Sequence, residues 1–163
     1  MKSKAKHEKP EPKRAEAATS SPAVVSTLKH LKWGWWGLLV FLSMGILLEM
    51  LHGFKVGAYL DVPNTTRRMM WTLAHAHGTL LSLVHIAFAV TIPHLHPSSI
   101  KGIKTISSCL IGASVLMPGG FFLGGAFIYG GDPGLGIFLL PVGAFMLFLG
   151  VLFTARQLDS RSA

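Results

Sequence analysis

The chain has 163 residues, half of them hydrophobic and 13% charged, where soluble domains average about 25% charged. That composition excludes an ordinary soluble domain, and the single cysteine, Cys109, excludes an internal disulfide or a cysteine metal cluster within one chain. The formal charge of +8 comes without basic-aromatic interleaving, so nucleic acid is not expected as a partner.

Residues 1–27 are rich in Lys, Glu, Ala, Pro and Ser. Such a segment buries too little surface to offset its ordering entropy, so 1–32 is expected to be a disordered, basic cytoplasmic tail. It has no short apolar region near Met1, as a cleaved signal peptide requires, and Glu8, Glu11 and Glu16 argue against a transit peptide.

Four apolar runs follow, at 33–54, 70–92, 106–129 and 135–154. Each is about 20 residues or longer, which matches the roughly 30 Å of a hydrocarbon core at 1.5 Å per residue. The alternating segments of a transmembrane β-barrel are absent. The expected fold is all-α: an antiparallel four-helix transmembrane bundle over 33–155, with a short cytoplasmic tail at 156–163. Trp33, Trp35 and Trp36 open the first run, where indole rings prefer the interface.

The loops carry turn chemistry. Pro63-Asn64 marks the first, and Pro93 and Pro97 bracket His94 and His96 in the second. Two histidines between prolines are too few for a metal site, and an interfacial loop is expected there. Tyr129-Gly130-Gly131-Asp132-Pro133-Gly134 is a tight turn joining the last two spans. Gly112 and Gly119 in one span, and Gly136, Gly143 and Gly150 in the other, recur at seven-residue spacing. Stacked small residues let helices approach closely in lipid, so helix packing is expected of them, with kinks at Pro118 and Pro141.

Basic residues predict orientation. Eight Lys or Arg precede the first run, and Lys101, Lys104, Arg156 and Arg161 share that side, against Lys55, Arg67 and Arg68 opposite. The bias favours cytoplasmic termini, in a bacterial inner membrane. The expected partners are the lipid bilayer and other membrane subunits or a second copy of the chain.

The polar residues inside the spans are where a site is expected, because ionisable groups at membrane depth are costly. In the second run His75, Gly78, Ser82, His85 and Ala89 follow 3-4-3-4 spacing, a bundle-facing seam. His77 lies about 200° from His75 around the helix and cannot share one metal with it. In the first run Trp35, Leu38, Leu42, Gly45, Glu49 and His52 predict a matching seam. Counted from Trp33, Glu49 lies about 24 Å across; counted from Met70, His75 lies about 8 Å in and His85 about 22 Å in. Glu49 and His75 thus fall at one level, where a Glu49–His75 hydrogen bond is expected to clamp the two helices or to serve a functional site, the alternative being that Glu49 snorkels to the interface. Haem b would take axial ligands from His52 and His75, with His77 as substitute. A quinol or proton site needs only one carboxylate and one imidazole. No nucleophile-base arrangement is apparent, so catalysis is not expected.

Two resemblances rest on quoted residues. Leu51-His52-Gly53-Phe54-Lys55, Trp71-Thr72-Leu73-Ala74-His75 and the run from Leu135-Gly136 to Pro141-Val142-Gly143 resemble a family of small four-span bacterial and mitochondrial transmembrane proteins of unknown function. That resemblance covers roughly residues 45–155 and implies a fold without an established activity. Ala74-His75-Ala76-His77-Gly78 resembles the low-spin haem helix of haem-copper oxidase core subunits. The later histidine-bearing helices of an oxidase are missing, so no oxygen chemistry follows. The expected function is an accessory or assembly component with an intramembrane Glu/His site; the alternative is a small redox or proton-handling protein.

Overall fold

The computed structural model describes residues 22–95 and 100–162; residues 1–21 of the expected tail, and His96 and Pro97 of the second loop, lie outside them. Among the described residues the fold is helical apart from one ribbon of two two-residue strands. Its four long helices are α1 (Pro22–Gly53), α3 (Thr65–Thr91), α4 (Ile100–Ala126) and α5 (Leu139–Ser162), with a one-turn α2 (Gly57–Leu60) between the first two. All four long helices are long and apolar enough to cross a membrane.

The first helix begins eleven residues before Trp33 (33 − 22), so the expected boundary at 32 falls inside it. Lys29, His30 and Lys32 look like tail by polarity. The helix continues because one face of this segment is covered: Ala23 packs on the core and His30 is fully buried. Lys55 ends α1 with a left-handed φ of 53°, and Val56 N–H closes the end on the Leu51 carbonyl.

The long helices pack in chain order, α1 on α3, α3 on α4 and α4 on α5, while α1 touches α4 lightly. The middle pair is therefore covered on two sides and the outer pair on one. Phe88, Ile92, Leu95, Ile103, Ile106 and Leu110 form the main apolar cluster, which Ala23 of α1 and Leu147 and Phe153 of α5 complete. This core sits where α1 begins, α3 ends and α4 begins.

At the other end, Arg68 donates from Nη1 to the carbonyls of Tyr59 and Leu60, and Arg67 to that of Ala58. These bonds fasten α2 over the start of α3. Between α4 and α5, Ile128–Tyr129 pairs antiparallel with Asp132–Pro133. Gly130 and Gly131 turn the ribbon at φ of 61° and 94°, conformations that cost glycine little.

The α4–α5 contact uses four of the five expected glycines. A Cβ at Gly143 would lie 2.6 Å from Met117 Cγ, one at Gly150 2.8 Å from Leu110 Cδ2 and one at Gly136 2.6 Å from Leu123 Cβ, while one at Gly112 would overlap Met146. Gly119 differs: nothing lies within 4 Å of its Cβ position, and Gly120 makes the close approach, against the Gly136 carbonyl. Pro118 lies inside α4, whereas Pro141 occupies the first turn of α5. There the missing N–H has no intrahelical partner to lose.

Candidate functional site

Two polar centres lie between the helices, at opposite ends of the α1–α3 interface. The first is buried. His30 of α1 and His85 of α3 are 0% and 1% exposed, and their Nδ1 atoms are 2.7 Å apart. Their rings stack at 4.9 Å, and Phe88 meets His30 edge-on. His30 Nε2 is 2.9 Å from Ser107 Oγ, and His85 Nε2 is 3.1 Å from Ser114 Oγ, both on α4. Lys29 Nζ donates to Ser107 Oγ at 3.5 Å, and Trp33 Nε1–H to Ser114 Oγ at 2.9 Å.

The partners assign the tautomers. Ser114 donates its own proton to the Ile111 carbonyl, so it presents a lone pair to His85 Nε2, which carries the hydrogen. A neutral His85 then has a bare Nδ1, and the proton between the rings belongs to His30. His30 Nε2 is in turn bare and accepts from Ser107. All four ring nitrogens are occupied, so this centre has no valence left for a ligand. It joins three helices and satisfies every buried ring atom.

The second centre is open. Glu49, His52, Tyr59, Thr72 and His75 line a cleft of about 860 Å³ between α1 and α3, within the roughly 300–1,000 Å³ of small-molecule sites. His75 Nδ1 lies 2.7 Å from the Phe41 carbonyl. A carbonyl only accepts, so Nδ1 carries the hydrogen and a neutral ring leaves Nε2 bare. Gly45 makes this reach possible. Its missing side chain sits one turn beyond Phe41, and a Cβ there would come 2.5 Å from His75 Cε1. His75 also lines a neighbouring groove with Thr79, whose Oγ1 is buried without a partner among the described residues.

The expected Glu49–His75 bond is not formed. Among the described residues Glu49 has no hydrogen bond or ion pair, and its side chain is exposed. The reason is the phase of α1. Trp35 and Leu42 of the expected seam are 63% and 59% exposed, while His30, Gly34 and Leu48 are buried and Gly37 faces Ser82. The buried stripe is displaced by one residue, about 100° of helix, except at Gly45, which faces His75 as the expected seam has it. Glu49 and His52 consequently sit at the cleft margin rather than in the interface.

On α3 the stripe with Gly78, Ser82, His85 and Ala89 is buried. Ser82 donates to the Gly78 carbonyl at 2.7 Å and so is a packing residue. His77 faces α4: its ring lies 4.7 Å from that of Phe121, and Nδ1 is 2.9 Å from the Leu73 carbonyl. It does not join His52 and His75 in the cleft. Among the described residues no three His, Cys, Asp or Glu side chains gather where a metal ion would be held.

His30 is the residue that sequence reasoning missed. Its signal was the 4-3-4 spacing of His30, Gly34, Gly37 and Phe41, which places a histidine in line with small residues. No protein-family model, no curated protein and no solved structure matches the chain.

Proposed function

We propose that the chain is an integral membrane protein with four antiparallel spans and cytoplasmic termini. In this reading it is an accessory component that binds a quinol head group in the α1–α3 cleft without catalysing its turnover. The outward faces of α1 and α5 support the membrane placement. Trp36, Val40, Phe145 and Phe148 are each more than half exposed, and so much uncovered apolar surface calls for lipid or protein around it. Orientation rests on the basic excess at the end carrying Lys29, Lys32 and Lys104.

The observation that carries the ligand is the His75 ring. It is tethered through Nδ1–H to the Phe41 carbonyl, which leaves Nε2 as its acceptor, and it lines a mostly apolar cleft that also holds one carboxylate. A quinol hydroxyl is a donor attached to an apolar ring and suits both. His75 Nε2 accepts the hydroxyl hydrogen bond, and Glu49 and His52 at the margin are within the same cleft for the ring's second polar group.

The test is equilibrium binding of decylubiquinol to the purified full chain in detergent. His75→Ala is expected to weaken binding at least tenfold, as losing a buried hydrogen bond of about 1.5 kcal/mol requires. Unchanged affinity in His75→Ala would sink the reading. Haem b is the competing occupant, because a histidine tethered at Nδ1 is also the form that ligates iron. A Soret band in the purified protein that vanishes in His52→Ala or His75→Ala would replace quinol by haem.

A further inference from the structure

Another groove lies beside α1, bordered by Ser114 of α4, with a volume of about 570 Å³. Its lining divides by chemistry. Lys29 and Lys32 stand at one end, Trp33 and Trp36 form the walls, and Val40 and Phe41 continue it as an apolar floor. Lys29, Trp33, Trp36 and Val40 recur at i, i+4, i+7 and i+11, which is one helix face.

The groove is built rather than incidental. Trp33 is fixed, because its indole N–H is held by Ser114, which His85 and the Ile111 carbonyl hold in turn. Gly37 keeps the interface close, since a Cβ there would overlap Ser82. The donors at the mouth are free. Lys32 Nζ and Trp36 Nε1 have no partner among the described residues, and Lys29 has only its long bond to Ser107. Among the described residues no acidic side chain lines the groove; the one carboxylate of α1, Glu49, is seventeen residues beyond Lys32 (49 − 32), or about 25 Å along the helix.

We propose that this groove binds one anionic phospholipid, its phosphate on Lys29, Lys32 and the Trp36 N–H and an acyl chain along Trp33, Val40 and Phe41. The charge complementarity chooses the occupant. Two cations with no acidic partner among the described residues, at the head of an apolar channel, match an anion that carries its own apolar tail. The inference rests on the membrane placement above but not on the quinol cleft, which lies at the other end of α1. Lys29 also bonds Ser107, the serine that holds His30, so an occupied groove braces the buried pair from outside.

The experiment compares dioleoylphosphatidylglycerol with dioleoylphosphatidylcholine, added to the delipidated full chain in mixed micelles, by native mass spectrometry. The anionic lipid is expected to bind as one tight equivalent. Its affinity falls on the order of tenfold in Lys29→Gln/Lys32→Gln, and little in Lys104→Gln, which removes a charge outside the groove. Val40→Trp fills the floor with both charges kept and is expected to weaken binding as well. Equal affinity for the two lipids, equal losses in Lys29→Gln/Lys32→Gln and Lys104→Gln, or full binding in Val40→Trp would each overturn the proposal. Alkaline carbonate extraction separates the two readings. A chain released from membranes overturns the membrane placement itself, whereas a retained chain with no lipid preference overturns only the groove.

Discussion

His30 and His85 meet Nδ1 to Nδ1 at 2.7 Å, so a single proton lies between two buried rings on different helices. Each ring's other nitrogen is bonded to a serine of α4. The join between α1, α3 and α4 is therefore one hydrogen-bonded unit, and no member can be removed without orphaning the next.

His30→Ala leaves His85 Nδ1 buried and unpaired, at about 1–3 kcal/mol for such a group, and leaves Ser107 Oγ only its 3.5 Å bond from Lys29. A loss of about 2 kcal/mol or more in unfolding free energy is expected, and His85→Ala should match it. The double variant should cost clearly less than the sum, because both single changes break the same bond. Denaturant unfolding in detergent reads all three. Additive losses would show two independent side chains rather than one unit.

Glu49→Gln should behave in the opposite way. Glu49 is exposed at the cleft margin and joined to nothing among the described residues. Stability is expected to change by no more than about 0.5 kcal/mol, as at other surface positions. A fall as large as that of His30→Ala would return the helix clamp to Glu49.

The reason α3 was legible and α1 was not lies in how each helix marks its inner face. Along α3, His75, Gly78, Ser82, His85 and Ala89 place small or polar residues at 3-4-3-4 spacing, so spacing alone identifies the stripe. Along α1, apolar residues surround the helix, and its phase depends on which side admits a neighbour. Gly34, Gly37 and Gly45 do so: side chains of α3 fill the space that a Cβ would occupy. In lipid, bulky apolar groups gain nothing by facing inward, and small residues let helices approach. A seam drawn through Trp35, Leu38 and Leu42 applies the rule for water-soluble bundles, and it turns Glu49 inward by mistake. The apolar run lengths gave the four helices, but the start of α1 depended on His30, whose partners are 55 and 77 residues away. Contacts at that separation show locally only in the line of small residues that His30 shares with Gly34 and Gly37.

The glycines allow a contrast within one protein. Gly45→Ala puts a methyl group against the His75 ring and Gly78→Ala puts one into the ring of Phe41. Overpacking of this kind costs about 1–3 kcal/mol. Gly119→Ala meets nothing within 4 Å and should stabilise α4 by up to about 1 kcal/mol through helix propensity. Thermal melts of the three variants test the set. Gly45→Ala should in addition weaken decylubiquinol binding, because the imidazole loses its seat on the Phe41 carbonyl; intact binding would mean that the tether does not orient His75.

Orientation is open to a direct chemical test, since Cys109 is the only cysteine. It is half-buried in α4, and Cys109→Ser gives a thiol-free background at the cost of one atom. Val62, 85% exposed in the segment between α1 and α3, and Leu158, exposed in the last turns of α5, then report on opposite ends. In the proposed orientation Leu158 lies on the cytoplasmic side and Val62 outside. In intact cells a membrane-impermeant maleimide should label Val62→Cys within minutes and reach Leu158→Cys only after permeabilisation. The reverse pattern would invert the protein and put the Lys29–Lys32 groove on the outer leaflet. Labelling of both positions without permeabilisation would mean an odd number of crossings between residues 62 and 158 is wrong, and would remove one of the four helices from the membrane.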